Sequence, residues 1–116
     1  MKQFAFSRRS RLRLKKDFQA VFSADRKTVT KDIVAWHLIT EGPCKTGLMV
    51  SRKTGGAVRR NRIKRLLREA LRLSQNQTKE GVRLVLYPKA GCRINNLSGA
   101  MAALDCVRRK AKLFKE

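Results

Sequence analysis

Acidic side chains are what this sequence most lacks. Eight Asp and Glu stand against 29 Lys and Arg, a formal charge of +21 on 116 residues. A compact body with that imbalance repels itself at low salt, so a polyanionic partner is expected, either nucleic acid or an acidic membrane surface. Long apolar runs are also missing. No stretch of about 18 apolar residues is present to span a bilayer, and Ser7, Arg8, Arg9, Ser10 and Arg11 interrupt the N-terminus, which therefore lacks the apolar core of a secretory signal. A mitochondrial transit peptide would share its Arg and Ser content, but a helix follows at once. A cytoplasmic protein with no membrane partner is expected.

Histidine and cysteine are scarce too. Cys44, Cys92 and Cys106 are widely spaced, without the CxxC pairs of zinc or redox sites, and read as reduced, buried thiols. His37 is the only histidine and alternates with Trp36 and Leu38 in a strand-like run, where a structural role is expected. No metal-ligating set of side chains is visible. The acids Asp17, Asp25, Asp32, Glu41, Glu69, Glu80, Asp105 and Glu116 are scattered along the chain. A protein-only nuclease would need a carboxylate cluster or a histidine set for metal or acid-base chemistry, and neither is apparent.

What is present is one domain's worth of patterned sequence, 1–116, with 42% apolar residues for a core. Leu14, Phe18, Val21 and Phe22 mark one face of a helix over about 15–23. Ile33 to Thr40 reads as a strand closed by the turn at Glu41-Gly42-Pro43, with Thr46 to Ser51 as its hairpin partner. Lys27 to Thr30 fits a further short strand. After Gly55-Gly56 the period changes from two to 3.6. Ile63, Leu66, Leu67, Ala70 and Leu71 form the core stripe of a helix from about Ala57 to Ser74. Val82 to Tyr87 is a strand stopped by Pro88. A last helix runs from about Leu97 to Phe114, its apolar positions including Leu97, Met101, Leu104 and Val107, with a basic tail. The class is α+β, with helices packed against one mixed sheet.

The middle helix carries the chemistry. Seven of the residues from Arg59 to Arg72 are basic and only Glu69 is acidic. Asn61, Lys64, Arg65, Arg68 and Arg72 lie opposite the apolar stripe, while Arg59, Arg60 and Arg62 flank the first turn. A charge run on a helix is most often just a solvated face. Here, however, the opposite charges that would pair four residues on are nearly absent, so the cations repel one another until phosphates neutralise them. Free backbone N–H groups near Val58 to Asn61 add an anion-binding tendency. The Asn61 amide, which both donates and accepts, suits a 2′-hydroxyl or base edge. Aromatic residues make up only 6% of the chain. Phe18, Phe22 and Trp36 are either core residues or the rim of a groove on which unpaired bases stack, and composition does not choose between the two.

The run Arg60-Asn61-Arg62-Ile63-Lys64-Arg65, continued by Leu66, Leu67, Arg68 and Glu69, resembles the signature of the protein subunit of bacterial ribonuclease P. LKKDFQAVF (Leu14 to Phe22) is similar to that family's first helix, and GLMVSRK (Gly47 to Lys53) to the strand before the motif. The resemblance extends from about Arg11 to Lys112. It implies an α-β sandwich ordered αβββαβα, with a mixed four-stranded sheet and a left-handed βαβ crossover. It also implies a ribonucleoprotein that removes the 5′ leader of precursor tRNA. In that assembly one protein binds one catalytic RNA, the RNA carries the active site and the Mg²⁺ ions, and the protein alone is inactive. Arg59, Arg62, Lys64, Arg65, Arg68 and Arg72 would then face the catalytic RNA. Phe18, Phe22, Val34 and Trp36 would line a cleft for the leader, with Arg52, Lys53, Arg60 and Asn61 at its edge. Trp36 stands where other members commonly have Tyr or another residue. The order of residues 1–10 without RNA is left open. The alternative is a non-enzymatic ribosomal or RNA-chaperone protein, which would share the size and charge but has no reason to carry so long a motif.

Overall fold

The computed structural model describes residues 11–12 and 14–114, so the question about residues 1–10 lies outside the described residues. The helices are α1 (Lys15–Ser23), α2 (Ala57–Ser74) and α3 (Leu97–Ala111), and the strands β1 (Lys27–Val29), β2 (Ile33–Ile39), β3 (Lys45–Leu48) and β4 (Val82–Pro88). The α+β class and the order αβββαβα are as expected. The mixed four-stranded sheet has the strand order β1-β2-β4-β3.

One sequence expectation is corrected: β3 is not the hairpin partner of β2. β4 lies between them, antiparallel to β2 and parallel to β3. Burial is the reason. Val82, Leu84, Val85 and Leu86 are all buried, so β4 is apolar on both faces and belongs in the sheet interior. β3 is left near the edge, where Arg11 bridges to Thr46 and the Leu12 N–H donates to the Thr46 carbonyl at 3.1 Å. That short pairing partly covers an otherwise open edge.

The two faces of the sheet are covered unequally. On one, Ile33, Ala35, Val82, Leu84 and Leu86 pack with Ile63, Leu67, Ala70 and Leu71 of α2 and with Ala100, Leu104 and Val107 of α3. On the other, the buried cluster is only Leu12, Val21 and Val85, and Phe18, Phe22, Trp36 and Leu38 around it stay half-buried. A nine-residue helix cannot cover a four-stranded sheet, and among the described residues much of this face remains open.

α3 begins where the Asn96 side chain accepts a hydrogen bond from the Gly99 N–H at 2.7 Å, a standard N-cap. It ends earlier than expected because Lys112 takes the left-handed conformation (φ 58°) and Phe114 bridges to Thr78 instead. Nor is its basic tail wholly exposed. Arg108 is 1% exposed, and its Nε donates to Thr78 Oγ1 at 2.8 Å. Of the three thiols expected to be buried, Cys92 is buried and Cys44 partly so, whereas Cys106 is exposed. The position of Cys106 on the outer side of α3 overrides the general preference of cysteine for the interior.

Candidate nucleic-acid interface

α2 presents a cationic groove. Its apolar row is sunk into the core, which turns Asn61, Lys64, Arg65, Arg68 and Arg72 outward together. With Arg11 and Glu69 they line a depression of about 630 Å³. Arg65, Arg68 and Asn61 are exposed, and Lys64 and Arg72 half-exposed. Glu69, the one acid here, holds the Arg72 Nε. Guanidinium groups this dense and accessible match phosphate oxygens through bidentate forks. Arg11 belongs to the groove only through the long-range bridge to Thr46, which no local sequence pattern announces.

Two residues of the expected ridge also tie the fold together. The Arg59 guanidinium donates to the Cys92 carbonyl at 2.9 Å, the Ile94 carbonyl at 3.1 Å and Asn95 Oδ1 at 3.0 Å. Arg62 donates to the Asn95 carbonyl at 2.7 Å. Both therefore clamp the loop ahead of α3 and do not line the groove.

The open face of the sheet forms the second surface. The register places Val29, Val34 and Tyr87 in one cross-strand row and Lys27, Trp36, Val85 and Gly47 in the next. α1 leans over the second row. A Cβ on Gly47 would come within 2.5 Å of the Phe18 ring, so any larger residue there would have to push that ring aside. Phe22 meets Trp36 at 5.1 Å between ring centroids with planes 80° apart, and Tyr87 meets it at 6.4 Å and 56°. Lys27 Nζ stands 5.7 Å from the Trp36 ring centroid. Phe18, Phe22 and Trp36 are thus brought together, and Val34 lies on the same face in the adjacent row beside Tyr87, each of the four half-buried.

The residues expected at the edge of the cleft divide. Arg52 and Lys53 are exposed on a single 3₁₀ turn, Arg52–Thr54. Because Leu48 pairs with Leu86, the chain leaves β3 at the end of the sheet that carries Tyr87 and Val34. Arg60 is half-buried in the first turn of α2, whereas Asn61 lies in the cationic groove. The two surfaces meet around the β3 edge, where Arg11 and Arg68 line a cavity of about 160 Å³ together with Phe18, Gly47 and Leu48.

Two residues that sequence reasoning missed are Tyr87 and Lys27. Tyr87 was legible as an alternate position of β4, out of phase with Val82, Leu84 and Leu86. His37 and Cys44 are poorly suited to acid-base chemistry. Burial and the nearby Arg26 lower the His37 pKa and keep it neutral, and burial pushes the Cys44 thiol up to about 11. Among the described residues no group of three or more His, Cys, Asp or Glu is placed to hold a metal ion, and no helix is long and apolar enough to cross a membrane.

Residues 6–112 match the family model for ribonuclease P. The ribonuclease P protein component of Brevibacillus brevis is 34% identical over 111 residues, 94% of this chain and 88% of that one. The corresponding protein of Oleidesulfovibrio alaskensis is 43% identical over 86 residues, 72% of this chain and 69% of that one. The RNase P protein of Staphylococcus aureus shares the fold, with a TM-score of 0.80 at 22% identity over 91% of this chain and 98% of that one. That of Thermotoga maritima superposes with a TM-score of 0.73 at 27% identity over 85% and 96%.

Proposed function

The chain belongs to the ribonuclease P protein family, and from that premise we propose that it binds a catalytic RNA through the α2 groove and the 5′ leader of precursor tRNA on the open sheet face. The observation that carries this reading is the pairing of two unlike surfaces on one small body. One is a dense cationic groove of Lys64, Arg65, Arg68 and Arg72. The other is a half-covered apolar and aromatic sheet face. The first suits the closely spaced phosphates of a structured RNA. The second suits splayed, unpaired bases, whose stacking on aromatic rings is worth about 1–3 kcal/mol each. A generic ribosomal or chaperone protein is not favoured, because the family match runs along nearly the whole chain.

In this reading one protein joins one RNA, and hydrolysis of the phosphodiester at the leader junction is carried out by the RNA. Mg²⁺ is likewise assigned to the RNA. The protein's part is positional. Phe18, Phe22, Val34 and Trp36 fix the leader, Arg52, Lys53 and Arg60 neutralise its phosphates, and the α2 groove sets that grip at a constant distance from the RNA active site.

The test is reconstitution with the partner RNA at low Mg²⁺. Adding the protein should restore accurate leader removal, and Phe22→Ala should weaken precursor tRNA more than mature tRNA. No rescue at any Mg²⁺ concentration would refute the assignment. Equal losses for both tRNAs would make Phe22 a core residue only, and thermal unfolding of the variant would reveal that.

A further inference from the structure

Trp36 is the only tryptophan, and a cation covers it where another ring would be expected. Phe22 and Tyr87 both touch the indole, yet their planes stand 80° and 56° from it, so neither stacks flat. The group standing over the ring is the Lys27 ammonium, 5.7 Å from its centroid. Lys27 reaches this place because it lies directly opposite Trp36 in the antiparallel β1–β2 pair. It is exposed, and among the described residues no carboxylate forms a salt bridge with it. It also marks the β1 end of a row that continues through Trp36 and Val85 to Gly47, beneath α1.

We propose that Lys27 is an exchangeable cover on a nucleotide subsite: a base of the single-stranded leader takes the indole face, and the displaced ammonium moves to that nucleotide's phosphate. The inference rests on the reading of the open sheet face as the leader site. An ammonium over an aromatic ring is held mainly by the ring's electrostatic field, and exposed contacts of this kind are weak. A phosphate is a stronger partner for the same charge, and a base covers the ring better than an ammonium does. A nucleotide supplies both replacements at once. The four-carbon stem of lysine lets the charge shift while its backbone stays in the β1 ladder. A tyrosine fixed flat on Trp36 would have to be displaced without compensation. The exchange makes Lys27 a residue that favours unpaired, phosphate-linked bases over apolar ligands, which offer the ammonium nothing.

Trp36 itself reports the event. The full chain is titrated with an eight-nucleotide single-stranded RNA over a salt series while tryptophan emission is followed. The wild type should show quenching on binding. Lys27→Gln should bind several-fold more weakly, with the salt slope lowered by about 0.7, the increment for one phosphate contact on a single strand. Lys27→Arg should recover most of both. In the reconstituted holoenzyme, Lys27→Gln should weaken precursor tRNA and leave mature tRNA unchanged. Unaltered affinity or an unaltered salt slope in Lys27→Gln, with the wild type still quenched, would overturn the role of Lys27 and leave the leader site standing. Absence of quenching in the wild type would overturn the subsite and the leader reading together. Melting curves of each variant separate these outcomes from a loss of fold.

Discussion

His37 is 9% exposed on the core-facing side of β2, paired across the sheet with Leu84. Burial first, and then the Arg26 charge, lower its pKa, so the folded protein keeps the imidazole neutral. The unfolded chain takes up that proton near pH 6.5. Between the two values the unfolded state binds more protons, so this contribution to stability is complete above about pH 6.5 and is lost as the pH falls below it. Urea midpoints measured from pH 7.5 down to 5.5 should decline for the wild type, and the decline should flatten in His37→Gln. Parallel curves would mean that His37 does not titrate differently in the two states. Gly81 is a second constrained position. Its φ is +81°, and an added Cβ would lie 2.0 Å from the Thr40 carbonyl oxygen, a backbone atom that cannot rotate away. The same junction carries the hydrogen bond from the Thr40 N–H to the Gly81 carbonyl at 2.7 Å, which ties the end of β2 to the start of β4. Gly81→Ala should therefore cost more than about 2 kcal/mol in urea unfolding, from the left-handed backbone together with the clash.

At the scale of elements, α2 shows why equal charges are unequal in role. Arg59 holds three acceptors in the loop that precedes α3, whereas Arg65 and Arg68 line the open groove. Arg59→Ala should lower stability by about 1–3 kcal/mol, because the loop carbonyls lose their donors. Arg65→Ala and Arg68→Ala should change stability by less than about 0.5 kcal/mol. Each should instead weaken binding to the catalytic RNA and reduce the salt slope by about one unit. Calorimetry of the free variants, with filter binding over a salt series, separates the two classes. The helices were legible in the sequence because an amphipathic period needs no partner to be read, and the row from Asn61 to Arg72 followed from the same wheel. The place of β3 was not legible. A turn between two strand-like runs looks the same whether they pair or admit a later strand, and only the two-sided burial of β4 decides. Arg11 in the groove, Arg59 and Arg62 on the loop, and Lys27 over Trp36 were hidden for the same reason. Each depends on a contact with another element, and composition carries no trace of it.

For the molecule as a whole, charge is the dominant fact. A formal +21 is carried on a body whose Cα radius of gyration is 13.1 Å. At 10 mM salt the screening length is about 30 Å, so each cation feels most of the others; at 150 mM it is about 8 Å and only near neighbours count. Local relief is limited. Asp17 pairs with Arg83 at 3.5 Å and Asp105 lies 3.6 Å from Arg108, while Glu69 serves Arg72. Apart from the buried Arg108, these partners are exposed or half-exposed, and such pairs contribute little. Repulsion should then outweigh attraction in the free protein, which sets the sign of the salt effect. The melting temperature should rise between about 10 and 150 mM NaCl and level off above that, as the screening length falls below the spacing of the charges. Single-stranded RNA should give the same stabilisation at far lower concentration, because it binds the folded form and brings its phosphates already linked. Arg65→Ala and Arg68→Ala together, by thinning the densest part of the groove, should raise the melting temperature at 10 mM NaCl and leave it nearly unchanged at 150 mM. A melting temperature that falls with added salt would show instead that ion pairs outweigh repulsion, and that the groove is not under electrostatic strain before RNA arrives.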